Sequence, residues 1–134
     1  GQVFLYPMLA ENRRQERRLD IIESLREHYQ VSEIKDLSFY EKEHKFLEGT
    51  GSMVLDRENK IAYACLSART HQEVLHEFCK QIGFEALMFH AEDSQGLAIY
   101  HTNVMMCVAT KFAIVCMDAV RNQQEQKLIK DSLS

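Results

Sequence analysis

The sequence lacks the features of several common protein classes. It has no uninterrupted apolar run near the roughly 20 residues that span a bilayer. Its first residues, GQVFLYPMLAENRR, lack the order of basic, apolar and small residues that a secretory signal has. Basic residues cluster only at 13–18, which predicts a solvated or ion-paired helix face and not the dense positive surface that nucleic acid requires. We therefore expect no membrane partner and no nucleic-acid partner.

Short metal-binding and phosphate-binding motifs are also absent. The four cysteines form no CxxC pair and no HExxH sequence is present, so we predict no metal site and no cofactor. The cysteines lie in apolar stretches, which predicts buried, reduced thiols and a cytoplasmic protein. The segment GTG at 49–51 lacks the further Gly and Lys of a phosphate loop. Its glycines are expected to allow positive φ or close backbone approach.

What is present is an alternation of strands and helices. With 134 residues, 46% hydrophobic and 27% charged, the chain is large enough to bury a core. Strand-forming residues, apolar periodicity and polar turns predict, in order, strand 2–8, helix 13–29, strand 31–37, strand 51–56, strand 61–67, helix 70–82, strand 84–90, strand 102–109, strand 112–117 and helix 121–133. Thr70 and Glu73 predict a capping box at the start of the second helix, and Gly83 predicts its C-cap.

The same order of elements recurs along the chain. The hairpins predicted at 51–67 and 102–117 start about 50 residues apart, which indicates a repeat. We interpret the chain as α/β and as one partial domain, 1–134, with units at about 1–45, 46–99 and 100–134. The first unit lacks an opening strand and the last lacks a closing strand, so we expect a piece of a larger domain. Open sheet edges would favour homo-oligomers.

Glu48 and His101 occupy equivalent positions, each just before the first strand of a repeat. In a radial repeat such positions converge near the axis, so a carboxylate and an imidazole are expected to meet. That pair suits nucleophilic catalysis, because the carboxylate holds the histidine tautomer and the histidine exchanges protons. The alternatives are a surface glutamate before a turn and a hydrogen-bonded structural histidine.

The segments around these residues, LEGTGSMVLDRENKIAYACLSARTH and YHTNVMMCVATKFAIVC, resemble the amidinotransferase and arginine-deiminase (pentein) superfamily. With the opening LYPMLAENRRQERR, the sequence is most similar to bacterial proteins of the citrulline-utilisation hydrolase type. The resemblance covers nearly the whole chain. It implies a partial α/β-propeller, in which this chain supplies about two and a half of five ββαβ units around a pseudo-fivefold axis.

The resemblance also implies an activity. It indicates a hydrolase or amidinotransferase that acts on a guanidino or ureido amino acid, such as arginine or citrulline, with a Cys–His–acid set. His101 matches the general acid/base and Glu48 the carboxylate that orients it. The superfamily's nucleophilic cysteine follows a Gly-rich segment that this sequence lacks. A second acidic residue, which binds the guanidinium group in the superfamily, lies upstream of the region that this chain matches. We therefore expect no turnover from this chain alone.

Three further residues are candidates for substrate binding. Arg69 matches a loop position that contacts a substrate carboxylate in some relatives; a surface arginine is the alternative. Asn103, two residues after His101 on the predicted strand, is expected on the same face. Some relatives have an acidic residue there, so the amide favours a neutral ureido group, unless it only stabilises a turn. Gly49 lies in the turn after Glu48.

A different class of function competes with the enzyme. A ribosome-binding anti-association factor uses the same propeller-like architecture, and a fold alone does not fix a function. The chain is therefore either part of an enzyme or a non-catalytic binding module or pseudoenzyme of the same fold.

Overall fold

The computed structural model describes residues 1–134 as a mixture of short strands and helices. The α-helices are α1 (Leu19–His28), α2 (Gln72–Ile82) and α3 (Gln123–Ser132). The strands are β1 (Gln2–Leu5), β2 (Glu33–Asp36), β3 (Val54–Asp56), β4 (Ile61–Cys65), β5 (Glu85–Phe89), β6 (Met106–Val108) and β7 (Ala113–Val115). The 3₁₀ helices are Glu11–Glu16, Ser38–Glu43, Thr102–Val104 and Met117–Ala119. None of the helices is both long and apolar enough to cross a lipid bilayer.

The strands form three small open sheets in chain order. β1 and β2 pair in parallel on either side of α1 in the sequence. The middle sheet has the order β3-β4-β5, with β3 and β4 antiparallel and β4 and β5 parallel. β6 and β7 form an antiparallel hairpin that α3 follows. The middle sheet and α2 therefore make one complete ββαβ arrangement, and the α/β fold class is confirmed.

The predicted helix at 13–29 is divided into the 3₁₀ helix Glu11–Glu16 and α1. Arg14 and Arg17 turn back to the preceding segment, where they donate hydrogen bonds to the carbonyl oxygens of Met8 and Tyr6 at 3.0 Å each. The α-helix begins only where regular apolar spacing begins. The basic residues of this segment are ion-paired, as predicted, with Glu16, Asp20 and Glu41.

The two ends of α2 differ in how they are capped. Gly83 is the C-cap, and its left-handed φ of 72° confirms the prediction. The N-cap is His71, and the predicted capping box of Thr70 and Glu73 is wrong. Thr70 lies one residue too early: its N–H bonds to the carbonyl oxygen of Ser67, and its hydroxyl is buried without a partner.

The core lies on both faces of the middle sheet. Side chains alternate along a strand, so β4 directs Ala62 and Ala64 to one face and Tyr63 and Cys65 to the other, all with 0% exposure. The alanines pack with Leu37, Leu47, Met53, Val74, Leu75, Phe78 and Cys79. Tyr63 and Cys65 pack with Phe89, Ala91, Met105, Met106, Ala119, Val120 and Ile129. The second cluster therefore joins the middle unit to the hairpin β6–β7 and α3.

The hairpin β6–β7 is covered on one face only. Met106 belongs to the second cluster and is buried. On the other face, Phe112 and Ile114 are 61% and 62% exposed. This second face, which includes the pair Cys107 and Ile114, is therefore largely open to solvent.

The prediction of four buried cysteines is wrong for two of them. Cys65 and Cys79 are buried, whereas Cys107 and Cys116 are exposed. Cys107 lies opposite Ile114 in the β6–β7 register and so belongs to the uncovered face. An apolar stretch of sequence predicts a strand, but it does not reveal whether another element covers that strand.

Candidate active site

Glu48 lies in a tight turn that precedes β3. The N–H of Gly51 donates to the carbonyl oxygen of Glu48 at 3.2 Å, and Gly49 has a φ of 57°. This left-handed conformation favours glycine, as the sequence predicted. The neighbouring Leu47 forms a β-bridge with Thr70, which fixes the turn against the segment before α2. The side chain of Glu48 is only 1% exposed.

His101 meets Glu48 across the boundary between the second and third units. The distance from His101 Nε2 to Glu48 Oε2 is 2.7 Å, although the residues are 53 positions apart. The imidazole side chain is 12% exposed, and its Nδ1 makes no hydrogen bond within the chain. The ring packs directly on Gly51, where a Cβ atom would lie 2.8 Å from Nδ1. The predicted close approach at Gly51 is therefore confirmed.

Two other groups contact the Glu48 carboxylate. The backbone N–H of Leu9 donates to Oε1 at 3.0 Å, and Arg69 Nη1 lies 3.5 Å from Oε2. Each carboxylate oxygen thus has a partner, and the orientation of the side chain is fixed from three sides. The Leu9 contact links the site to the first unit.

Arg69 lies beside the pair, where it contacts the acid and an aromatic ring. Its Cζ is 5.2 Å from the ring centroid of Tyr100, a cation–π contact, and its side chain is 33% exposed. The superfamily resemblance implies a contact between Arg69 and a substrate carboxylate. In the chain itself the guanidinium is directed to Glu48.

Asn103 does not lie where the sequence placed it. It belongs to the 3₁₀ helix Thr102–Val104 and is exposed. A 3₁₀ helix has three residues per turn, so residues two apart do not share a face. The prediction that Asn103 and His101 lie on one strand face is therefore wrong. The backbone N–H of Asn103 instead donates to the carbonyl oxygen of Gly51 at 3.2 Å.

The four cysteines differ in burial: Cys65 and Cys79 are buried, and Cys107 and Cys116 are exposed. Burial raises the pKa of the Cys65 thiol, and it raises the pKa of Cys79 to about 11. Such thiols carry little of the reactive thiolate at neutral pH. Cys107 lies on the uncovered hairpin face and Cys116 directly follows β7.

Two buried hydroxyls near the pair were missed by sequence reasoning. Ser52 and Thr102 are both 0% exposed and hydrogen-bonded to backbone groups around Glu48 and His101. The available signal was their position next to the candidate acid and histidine. Neither Glu48 nor His101 lines any of five cavities at other places on the surface.

A family comparison decides the class of the chain. The model of the family N,N-dimethylarginine dimethylhydrolase, eukaryotic, matches residues 1–134. The chain belongs to this family. No curated protein sequence is significantly similar to the chain.

Several solved structures have the same fold as this member of the dimethylarginine dimethylhydrolase family. The N-terminal domain of ArgZ, an arginine dihydrolase from the ornithine–ammonia cycle in cyanobacteria, was crystallised with bound substrate. It has a TM-score of 0.71 and 16% identity over 98% of this chain and 45% of that chain. The same domain, covalently bonded to a reaction intermediate, gives the same values, again a TM-score of 0.71. Apo ArgZ has a TM-score of 0.69 and 17% identity over 98% of this chain and 20% of that chain.

The TM-scores establish a shared fold, and the chain spans less than half the length of the structures that it matches. Together with the family match, the shared fold confirms the predicted relationship to the amidinotransferase and arginine-deiminase superfamily.

Proposed function

We propose that this chain is part of an enzyme that hydrolyses the guanidino group of an arginine-like amino acid. His101 serves as general acid/base and Glu48 orients it. The observation that carries the proposal is the 2.7 Å contact between His101 Nε2 and Glu48 Oε2, in a member of a dimethylarginine hydrolase family. A buried carboxylate at this distance holds the imidazole in one orientation and one tautomer.

In the proposed reaction a cysteine thiolate attacks the planar guanidino carbon. The bond from that carbon to the departing amine breaks, and His101 gives the amine a proton. A water molecule then attacks the thioether-linked carbon, loses a proton to His101, and the thiolate leaves with the bonding electrons. One water is consumed, one amine is released and a ureido product remains. Since Nε2 is bound to Glu48, Nδ1 is the nitrogen that exchanges these protons.

The nucleophile is proposed to come from outside these 134 residues. Burial raises the pKa values of Cys65 and Cys79, which argues against a thiolate at either position. The superfamily resemblance places the cysteine after a Gly-rich segment that is not found here. The three sheets would then be successive parts of a propeller-like ring, with the uncovered face of β6–β7 turned towards the next unit. Self-association through that face is the alternative, and light scattering at increasing concentration separates the two.

The substrate is proposed to be a methylated or unmodified arginine. The family name designates N,N-dimethylarginine, and ArgZ is an arginine dihydrolase. Arg69 is part of the proposed substrate site, because its guanidinium is partly exposed beside Glu48 and can turn to a substrate carboxylate. The sequence also placed Gly49 at the substrate, but a Cβ atom there would lie 3.3 Å from the Tyr6 ring, so Tyr6 fills this space and we do not propose a ligand contact at Gly49. The prediction of a citrulline-like substrate depended on Asn103 lying on the same face as His101. Because the two residues do not share a face, we do not propose a preference for citrulline. Four free cysteines suit a reducing cytoplasm.

The first prediction compares variants of the full-length gene product. Glu48→Gln and His101→Gln are expected to lower kcat for N,N-dimethylarginine or arginine by about 10²- to 10⁴-fold, the usual contribution of general acid–base catalysis. The matched controls, Glu58→Gln and His76→Gln, change exposed residues and are expected to retain kcat within about twofold. Colorimetric detection of the ureido product measures the rates.

The isolated 134-residue chain is expected to release no amine from these substrates. Turnover by that chain would contradict the external nucleophile. Wild-type kcat in Glu48→Gln would contradict the role of the pair. A full-length protein that binds these amino acids without turnover would favour the binding module.

A further inference from the structure

We propose that Thr102 and Ser52 are positioning residues that set the distance between His101 and Glu48. The inference rests on the proposed function, which gives this distance its purpose. Neither hydroxyl touches the His101–Glu48 bond itself. Both act through the backbone on which the two side chains are carried.

Thr102 fixes the chain next to His101 to two distant parts of the middle unit. Its hydroxyl donates a hydrogen bond to the carbonyl oxygen of Ser52 at 2.6 Å and accepts one from the N–H of Cys65 at 2.9 Å. The partners are 50 and 37 residues away in sequence, so both bonds depend on the folded chain. His101 is thereby held against the end of β4 and against the turn that contains Glu48.

Ser52 does the same for Glu48. Its buried hydroxyl accepts a hydrogen bond from the N–H of Glu48 at 2.8 Å and donates one to the carbonyl oxygen of Arg69 at 2.9 Å. The carbonyl oxygen of Ser52 therefore accepts a hydrogen bond from the Thr102 hydroxyl, and the Ser52 hydroxyl accepts one from the N–H of Glu48. These two hydrogen bonds, linked through Ser52, connect the backbone of Glu48 to Thr102, the residue that follows His101.

The surrounding packing leaves little room for another arrangement. The His101 ring packs against Gly51. Gly51 lies in the turn between Glu48 and Ser52. A shift of Thr102 relative to Ser52 would therefore move Nε2 relative to the carboxylate. Misplacement of a catalytic group by about 1 Å can cost about 100-fold in rate.

A purely structural role for the hydroxyls predicts a different behaviour. In that case they only satisfy buried backbone groups. Their removal would then lower the global stability but leave the His101–Glu48 bond unchanged in the folded molecules. The state of that bond in folded protein, and not the stability, separates the two roles.

The experiment measures hydrogen exchange at the His101 Nε2–H by NMR on the ¹⁵N-histidine-labelled full-length gene product. Thr102→Val removes the hydroxyl and keeps the shape, and Thr102→Ser keeps the hydroxyl. Thr70→Val is the matched control, because Thr70 is 1% exposed and its hydroxyl has no partner. We expect exchange about tenfold faster or more in Thr102→Val and within about twofold of wild type in the other two.

Unchanged exchange in a folded Thr102→Val protein would overturn the proposal. If that variant does not fold, Ser52→Ala answers the same question. It keeps the carbonyl that accepts Thr102 and removes only the hydroxyl that holds the Glu48 backbone. Faster exchange there supports the proposal, and unchanged exchange overturns it. The exchange measurement does not depend on turnover. Full activity in Glu48→Gln would therefore contradict the proposed function but would not alter the exchange rates that test the positioning role.

Discussion

The hairpins β3–β4 and β6–β7 have the same topology but different surroundings. In β3–β4, the strand β4 is buried on both faces, with Ala64 towards α2 and Tyr63 towards the third unit. In β6–β7, Met106 is buried, while Ile114 on the opposite face is largely exposed. The difference indicates that the middle sheet obtains part of its core from the segment that follows it, which includes Met106 and Ile129.

The candidate site lies where these two environments meet. Glu48 precedes the covered hairpin and His101 precedes the half-covered one, so their contact joins the second unit to the third. The site therefore depends on how firmly the third unit is attached. Ile129 of α3 is fully buried in the cluster that makes this attachment, together with Tyr63.

The largest expected effect is a difference in stability between substitutions on the covered and the exposed side of the segment β6–β7–α3. Ile129→Ala removes a fully buried side chain and is expected to lower the free energy of unfolding by about 2–5 kcal/mol. The matched variant Ile114→Ala changes a side chain that is 62% exposed and is expected to cost less than about 0.5 kcal/mol. Urea unfolding measures both. Equal costs would mean that the outer face of β6–β7 is covered in solution.

The second expected effect concerns thiol reactivity at the ends of the two hairpins. Cys65 ends β4 with 0% exposure, and burial raises its pKa, so little thiolate is present at neutral pH. Cys116 directly follows β7 and is exposed. Alkylation of Cys116 is expected to be at least about 100-fold faster, as followed by mass spectrometry of peptides.

The same reaction in denaturant supplies the control for the thiols. All four cysteines should then react at similar rates, because no fold protects them. Equal rates of Cys65 and Cys116 in native buffer would show that the middle unit opens as readily as the third, and the contrast between the hairpins would disappear.

Local patterns explain why the middle unit could be predicted from the sequence. The apolar run at 61–67 after a polar turn and the helical spacing at 70–82 are properties of neighbouring residues, and both elements form close to the predicted bounds. The 3₁₀ helix at Thr102–Val104 could not be predicted in this way. Its first residue is held by hydrogen bonds to Ser52 and Cys65, which are distant in sequence.

The candidate site was predictable in part for a similar reason. The predicted repeat puts Glu48 and His101 at equivalent positions, and the contact that this prediction implies is present in the structure. The partners that orient the acid do not follow from it. The N–H of Leu9 is a backbone group with no sequence signature, and the direction of Arg69 depends on where Tyr100 lies.

The smallest expected effect tests the turns of the two hairpins. Asp56 accepts hydrogen bonds from the N–H of Asn59 at 2.9 Å and from its side-chain amide at 2.8 Å, and these bonds hold the pKa of Asp56 below its usual value. The corresponding bond in the β6–β7 turn joins only the N–H of Ala109 and the carbonyl oxygen of Phe112. Asp56→Asn is therefore expected to lower the free energy of unfolding by about 0.5–1 kcal/mol at neutral pH.

Because the folded-state pKa of Asp56 is depressed, this stabilisation is fully present above the unfolded-state pKa of about 3.9. It is lost as the pH falls through the folded-state value, since the carboxyl group is then protonated in both states. The difference between wild type and Asp56→Asn in urea unfolding should accordingly shrink on acidification. The exposed Asp131→Asn serves as the control for the loss of one carboxylate elsewhere in the chain. A difference that stayed constant with pH would mean that an ionised Asp56 does not hold the turn, and that backbone bonds alone fix both hairpins.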